Sequence, residues 1–344
     1  MISFLKAPLS LSVLLGIGVV AGATTSAQAA TLDEVKAKGF LQCGIDGGLP
    51  GFGMINQDGS FEGLDVDTCR AVAAAVLGDA DALKVTPLTA KERFTALASG
   101  EVDVLARNST WTATRDTSLG VSFAGVNYYD GQGFMVPKSL GVSSALELDG
   151  ASVCIQAGTT TELNLADYFK ANDMTYESIT FETSQQTADG MSGGRCDLLT
   201  SDTSQLAAIR SKFSNGDDFE VLPEIISKEP LGPVVAAGDE RWFKIVRWVL
   251  IAQINAEELG ITSANADEMK NSKNANIQRL LGMSGAYGDM LGIPNDFAYQ
   301  AIKQVGNYQE MFERNVGPNT PIGLPRGVNA LWSDGGILYA PPFR

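Results

Sequence analysis

The pattern that most constrains the fold is an alternation of strand and helix segments, interrupted by two extended segments at 128–136 and 229–235. Strands that alternate with helices form mostly parallel sheets. Two extended segments indicate that the chain leaves a first domain, builds an inserted second domain and returns, with a natural hinge between them. We therefore predict an α/β fold of two lobes with mixed or parallel sheets. Lobe 1 comprises residues 30–132 plus 236–344, and lobe 2 comprises residues 133–235.

Apolar runs and helical periodicity give the individual elements. In lobe 1, strands are expected at 40–45, 83–87 and 102–106, and helices at 66–77 and 92–99. In lobe 2, strands are expected at 151–156, 178–181 and 196–200, and helices at 159–171, 186–193 and 203–212. Further helices follow at 240–259, 266–269, 274–281 and 296–312. Thr159 and Glu162 match the S/T-x-x-E pattern of a capping box.

The final segment, residues 315–344, is rich in glycine and proline but also carries Leu331, Trp332, Ile337, Leu338 and Tyr339. Disordered segments are poor in such large apolar side chains. We therefore expect an ordered tail that packs on lobe 1 rather than a disordered one.

The N-terminus has the three parts of a secretory signal: Lys6, an apolar run at 9–20 and the small-x-small pattern of residues 27–29. A short membrane anchor or a buried helix is the alternative, but the apolar run is too short to span a bilayer. We predict a signal peptide at 1–29, a mature soluble chain that begins near Ala30, and a periplasmic location.

The chain contains four cysteines: Cys43, Cys69, Cys154 and Cys196. An even number in an exported protein predicts disulfides, and four cysteines allow three pairings. We favour Cys43–Cys69 and Cys154–Cys196, one disulfide inside each lobe, because cross pairing would tie the lobes together and oppose hinge motion. Four free buried thiols are the alternative.

Histidine is absent from the whole sequence. This excludes Ser-His-Asp and Cys-His nucleophiles, and also histidine-containing zinc or iron sites. A formal net charge of −15 opposes nucleic-acid binding, which requires basic surfaces. Carboxylate-only catalysis remains open in principle, but we expect a non-enzyme with no catalytic residue, no metal and no cofactor.

The most informative motif is Gly-Leu-Asp-Val-Asp-Thr-Cys-Arg-Ala-Val-Ala at 63–73. It resembles the signature of the periplasmic polar amino-acid solute-binding proteins, family 3. Stretches at 91–97, 158–164 and 329–332 support the resemblance, which is closest to the general L-amino-acid or glutamate/glutamine/aspartate/asparagine-type subgroup. The resemblance implies a type II-like periplasmic binding protein fold. By themselves, Asp65 and Asp67 fit ordinary acids at a helix N-terminus, so the motif marks the fold rather than the ligand.

An amino-acid ligand requires a cationic partner for its carboxylate and an acidic partner for its ammonium, because unpaired charges are costly in a cleft that sheds water. Loops at the carboxyl ends of parallel strands face such a cleft. The resemblance implies that Arg115 binds the α-carboxylate, with Asn108 and Thr110 beside it. Family members usually carry serine at position 108.

The resemblance also implies ligand-binding residues in lobe 2. Thr159 and Thr160 open a helix whose N–H groups suit a carboxylate, although ordinary helix capping is the alternative. Asp202 is the implied ammonium acceptor, and a plain N-cap is its alternative. Arg93 matches a position that reaches the ligand side chain in glutamate-type relatives, which favours acidic or amide side chains. A surface arginine beside Glu92 is its alternative.

The function implied is that of the substrate-binding component of an ABC amino-acid importer, which captures a free L-amino acid by hinge closure. Its partners are the ligand and an inner-membrane permease, and we expect a monomer that binds no nucleic acid. Two rivals are a binding protein that feeds a sensor and a dehydratase or lyase on the same scaffold. A lyase would need paired cleft carboxylates, for which only Asp202 and Asp46 are candidates.

Overall fold

The structure, a computed structural model, describes Met1 and residues 30–344. Apart from Met1, the signal peptide predicted at 1–29 lies outside the described residues. Within the described part, no helix has the length and apolar character needed to cross a membrane.

Thirteen α-helices lie within residues 30–344. They are α1 (Thr31–Lys38), α2 (Leu64–Leu77), α3 (Arg93–Ala98), α4 (Ala113–Ser118), α5 (Thr160–Ala171), α6 (Ser184–Ser192), α7 (Thr203–Lys212), α8 (Glu240–Glu258), α9 (Ala266–Met269), α10 (Ala275–Leu280), α11 (Tyr287–Leu291), α12 (Phe297–Val305) and α13 (Tyr308–Asn315).

The strands form two five-stranded sheets and two smaller ones. They are β1 (Leu41–Ile45), β2 (Gly48–Leu49), β3 (Gly53–Ile55), β4 (Phe61–Glu62), β5 (Leu83–Pro87), β6 (Val104–Leu105), β7 (Val121–Phe123), β8 (Tyr128–Asp130), β9 (Gln132–Pro137), β10 (Ala151–Gln156), β11 (Tyr176–Phe181), β12 (Leu198–Asp202), β13 (Phe219–Val221), β14 (Glu229–Leu231) and β15 (Val234–Ala236).

Both large sheets are mixed, which confirms the predicted α/β class. The first has the order β5-β1-β6-β15-β7, and the second has the order β11-β10-β12-β9-β13. In each, the strands that alternate with helices pair in parallel, whereas the strand beside each crossing, β15 or β9, runs antiparallel.

The two crossing segments pair with each other as an antiparallel ribbon of β8 and β14, in which Tyr129 lies opposite Pro230 and Asp130 lies opposite Glu229. On either side of the ribbon the chain enters a different sheet: β9 joins the second, and β15 joins the first. The division into lobes at 133 and 235 stays a prediction. Sheet membership places Val234–Ala236 with the first sheet.

Two local predictions were wrong. The capping box at Thr159 does not form, because the Thr159 hydroxyl donates to the carbonyl of Gln156 and Glu162 accepts the N–H of Gly158 instead. The single helix predicted at 296–312 is two helices, α12 and α13. Gly306 adopts a φ of 104°, which ends α12, and Asn307 starts α13 with a true capping box. The apolar periodicity of the sequence continues across this interruption of the helix.

The disulfide pairing in the structure is the one that we predicted. Cys43 is joined to Cys69, so that β1 is linked to α2, and Cys154 is joined to Cys196, beside β12. Each bond lies among elements of one large sheet and its helices. Neither therefore links the two large sheets.

The tail packs on the helices, as the sequence predicted. Leu331, Leu338 and Phe343 are buried. The Phe343 ring contacts the rings of Trp248 and Phe297, and its carbonyl accepts a hydrogen bond from Arg279 at 2.8 Å. The tail is thus a fixed part of the helical layer formed by α8, α10 and α12.

Candidate ligand-binding cleft

The loop after β6 carries the first group of predicted site residues. Asn108 adopts a left-handed φ of 32°, a conformation that asparagine tolerates better than most residues. Its backbone N–H donates to Asp65 Oδ2 at 2.9 Å, and Asn127 donates to Asp65 Oδ1 at 3.2 Å. Asp65 of the signature motif therefore supports the loop that carries Asn108 and Thr110. Burial raises the pKa of Asp65 to about 6.

Arg115 lies in the first turn of α4, a helix whose start is capped by the Thr112 hydroxyl. The side chain is buried, and its Nη1 donates to the carbonyl of Thr110 at 3.0 Å. Burial lowers the pKa of Arg115, while Glu229 and Asp202 act in the opposite direction. The guanidinium is therefore a buried cation that lies within the field of two carboxylates.

Arg93 opens α3 and is only 2% exposed, so the alternative of a surface arginine does not hold. Its Nη1 donates to the Arg107 carbonyl at 3.1 Å, while its Nε has no hydrogen-bond partner among the described residues. Burial and the neighbouring cations Arg115 and Arg107 lower its pKa well below the ordinary range of arginine.

The start of α5 approaches the loop after β6. Thr160 Oγ1 lies 3.4 Å from Thr110 Oγ1 and 3.0 Å from Glu229 Oε2, to which it donates. Thr159 directs its hydroxyl to its own strand end at Gln156. Of the two threonines, Thr160 is thus the one whose side chain contacts the opposite loop and the ribbon.

Asp202 ends β12 and is buried, and its side chain caps no N–H of α7. The N-cap alternative therefore does not account for it. Burial raises the pKa of Asp202 well above its ordinary value, and the carboxylates of Asp130 and Glu229 add to the rise, while Arg93 and Arg115 oppose it. A cationic group beside Asp202 would stabilise its ionised form.

Glu229 was missed by the sequence analysis. It is 2% exposed, and its carboxylate accepts hydrogen bonds from Ser227 and Asn164 at 2.6 Å each in addition to that from Thr160. An acidic residue inside the extended segment at 229–235 is the sequence signal that could have found it. Asp130, opposite it on the ribbon, accepts from Thr203 at 2.6 Å and from the N–H of Ser204 at 3.2 Å.

Several buried polar atoms around this cluster lack a hydrogen-bond partner within the described residues. They are Arg93 Nε, both side-chain polar atoms of Asn108, and Gln132 Oε1. Buried unpaired polar atoms are uncommon in native proteins and call for an explanation. None of Arg93, Arg115 or Asp202 takes part in an ion pair with another side chain of residues 30–344.

Outside the cluster, the two large sheets and their helices meet again. Asp46 pairs with Arg107 at 2.5 Å and accepts a hydrogen bond from Ser184 of α6 at 2.8 Å. Lys91 pairs with Glu182 at 2.7 Å on the surface. Asp46 thus forms an ion pair with Arg107 and joins the loop after β1 to α6.

The fold and this polar cluster are typical of one class of protein. In this class, an α/β binding protein has two large sheets joined by a crossing ribbon, and its ligand-binding residues lie between the two sheets and their helices. The sequence profile of the bacterial extracellular solute-binding proteins, family 3, matches residues 41–317. The chain belongs to this family. Family membership confirms the class that the motif at 63–73 indicated.

Named relatives cover almost the whole chain. The general L-amino acid-binding periplasmic protein AapJ of Rhizobium johnstonii is 56% identical over 97% of this chain and 98% of its own length. The glutamate/glutamine/aspartate/asparagine-binding protein BztA of Rhodobacter capsulatus is 57% identical, over 95% of this chain and 96% of its own length. A periplasmic binding protein of an ABC transporter from Brucella ovis, solved with glutathione bound, is 55% identical. It superposes with a TM-score of 0.90 over 92% of this chain and 100% of that one.

Proposed function

We propose that this protein is the periplasmic, substrate-binding component of an ABC amino-acid importer and captures a free L-amino acid in the cleft. The observation that carries the proposal is a set of buried ionisable side chains that form no ion pair within residues 30–344: Arg93 and Arg115 on one side, Asp202 on the other. A zwitterion supplies the oppositely charged partners that these side chains lack. Charge-assisted hydrogen bonds are stronger than hydrogen bonds between neutral groups.

The proposed binding mode assigns each end of the zwitterion. The α-carboxylate is bound by Arg115, by the hydroxyl of Thr110 and by the first-turn N–H groups of α5 beside Thr159 and Thr160. The ammonium is bound by Asp202. Asn108 contributes a polar contact from its left-handed turn.

Hinge closure follows from where these groups lie. Arg93 and Arg115 are on α3 and α4, and Thr110 is on the loop after β6. Asp202 and Thr160 belong to the second sheet and its helices. A ligand stabilises the closed form only through contacts that it makes there and not in the open form. The ribbon of β8 and β14 is the segment about which this motion occurs.

The side-chain preference that we propose is for acidic or amide side chains. Arg93 is its basis, because a buried guanidinium with a free Nε offers a donor and a positive charge. BztA, a glutamate/glutamine/aspartate/asparagine-binding protein, agrees with this preference, whereas AapJ is a general L-amino acid-binding protein.

A second candidate ligand is a γ-glutamyl peptide such as glutathione. The specific observation in its favour is that the similar protein from Brucella ovis was solved with glutathione bound. The γ-glutamyl end of glutathione presents a free α-carboxylate and α-ammonium, so the same charge pairing would bind it. Its longer side chain would have to extend past Arg93.

The family consists of solute-binding proteins, so we propose no catalytic activity for this chain. An inner-membrane permease that recognises the closed form is the proposed partner, and the protein acts as a monomer. A thermal-shift screen over the L-amino acids and glutathione tests the proposal, because a ligand that binds only the native state raises the melting temperature. A rise with acidic or amide amino acids supports it; no rise with any amino acid contradicts it.

A further inference from the structure

The tail after residue 317 lies beyond the match to the family profile, yet it reaches the crossing ribbon. Asn329 ends a short helical turn at Gly327–Asn329 and is 2% exposed. Its Oδ1 accepts the backbone N–H of Tyr129 at 2.7 Å, and its Nδ2 donates to the carbonyl of Tyr129 at 2.9 Å. The side-chain amide thus pairs with β8 as the peptide group of a neighbouring strand would.

The tail holds Asn329 firmly on the helical layer. Arg326 donates from Nη2 to the carbonyl of Asn329 at 2.9 Å and pairs with the buried Glu257 of α8 at 2.8 Å. Its guanidinium also lies over the rings of Tyr308 and Phe312, with centroid distances of 5.3 and 5.1 Å. Asn329 therefore links the ribbon to α8 and α13.

Tyr129, to which Asn329 is hydrogen-bonded, directly precedes one of two carboxyl groups that face each other on the ribbon. Tyr129 is followed on β8 by Asp130, which lies opposite Glu229 on β14. Glu229 accepts from Thr160, and Asp130 accepts from Thr203, the residue after Asp202. A shift of Tyr129 along the ribbon would move both carboxylates relative to the helices that they hold.

We propose that Asn329 is a positioning residue for the ligand site: through Tyr129 it fixes the crossing ribbon and so places Asp130 and Glu229. The expected effect of Asn329 on ligand affinity rests on the proposed function. The expected effect of Asn329 on the relative position of the lobes does not depend on any ligand. The two hydrogen bonds between Asn329 and Tyr129 also restrict the range of relative lobe positions, because β8 is then held on one edge by β14 and at Tyr129 by the tail.

The test compares three variants. Asn329→Ala removes both hydrogen bonds, and Asn329→Asp keeps the side-chain shape but loses the donor to the Tyr129 carbonyl. Phe343→Ala is the matched control, because it removes a buried tail anchor that contacts Trp248 and Phe297 rather than the ribbon. Spin labels on Asp81→Cys and Asn172→Cys, both at exposed positions, report the distance between the lobes by double electron–electron resonance.

We expect both Asn329 variants to broaden the distance distribution of the ligand-free protein. Asn329→Ala, which loses both hydrogen bonds, should weaken L-glutamate binding by about tenfold, and Asn329→Asp, which loses one, should weaken it less. Phe343→Ala should lower the melting temperature but keep the wild-type distance distribution. The inference is overturned if the Asn329 variants keep the wild-type distribution, or if Phe343→Ala broadens it equally. If wild type does not bind L-glutamate, the distance measurement still decides the inference, while the proposed acidic preference fails separately.

Discussion

The hydroxyl oxygens of Thr110 and Thr160 lie 3.4 Å apart, and they belong to different halves of the molecule. Thr110 follows β6 of the first sheet, while Thr160 opens α5 beside the second. Around this contact lie the buried cations Arg93 and Arg115 and the buried carboxylates Asp202 and Glu229. Their arrangement leads to the following predictions.

Asp202→Asn should separate ligand affinity from stability. Burial raises the pKa of Asp202 above that of an unfolded aspartate, so this group lowers the stability of the ligand-free protein increasingly as pH rises from its unfolded to its folded pKa. The amide removes this cost, so at pH 7 we expect a melting temperature at or above that of wild type. Affinity should fall by about 2–5 kcal/mol, because the ligand ammonium loses its anionic acceptor.

Asp189→Asn, at an exposed position on α6, is the matched control and should change neither quantity. Thermal melts with and without ligand make the measurement. Wild-type affinity in Asp202→Asn would remove Asp202 from the binding site.

Arg93→Gln should change specificity more than affinity. The substitution keeps a hydrogen-bond donor but removes the charge, so glutamate and aspartate should lose more binding free energy than glutamine and asparagine. Competition titrations with these four amino acids give the ratio of affinities. An unchanged ratio of acid to amide would show that Arg93 does not contact the ligand side chain.

Asp65 predicts a specific pH dependence of stability. Its pKa is raised to about 6, whereas an unfolded aspartate titrates near about 3.9. Between these values the folded state retains a proton that the unfolded state has released, so stability falls as pH rises. Relative to Asp65→Asn, wild type should lose about 3 kcal/mol of unfolding free energy between about pH 4 and pH 7. Urea titrations across this range measure the difference; a pH-independent difference would contradict the raised pKa.

The disulfides should each stabilise the fold without restricting hinge motion. Replacing Cys154 and Cys196 with serine should cost about 2–4 kcal/mol of unfolding free energy, and the same holds for Cys43 and Cys69. Because neither bond joins the two large sheets, ligand affinity measured well below the melting temperature should stay within about twofold of wild type. A larger change in affinity would show that a disulfide contributes to closure.

The sequence predicted the type and order of the main helices and strands better than the residues at which they begin and end. Strands such as Leu83–Pro87 and Ala151–Gln156 and the helix Thr203–Lys212 have the predicted bounds, because apolar periodicity and turn residues mark them clearly. The break at Gly306 was missed because the apolar period of α12 continues into α13. Helix α1 was also missed, since it is short and begins directly after the predicted cleavage site.

Site residues were predictable only where a motif carried them. Arg115 and Asp202 came from the family resemblance; both are buried, and neither forms an ion pair with a side chain of the described part of the chain. Glu229 was missed because its burial depends on the pairing of β8 with β14, which join residues far apart in sequence. The pairing of Asn329 with Tyr129 was missed for the same reason.

Isothermal titration calorimetry of wild type and Arg115→Ala with L-glutamate tests the central claim most directly. Arg247→Ala is the control, since Arg247 also donates to a backbone carbonyl, at Ala124, but its guanidinium lies over the ring of Phe243 on α8. We predict that Arg115→Ala weakens binding by about a hundredfold or more, as expected when one partner of a desolvated charge pair is removed, while Arg247→Ala binds as wild type. Equal affinity in wild type and Arg115→Ala would contradict the account.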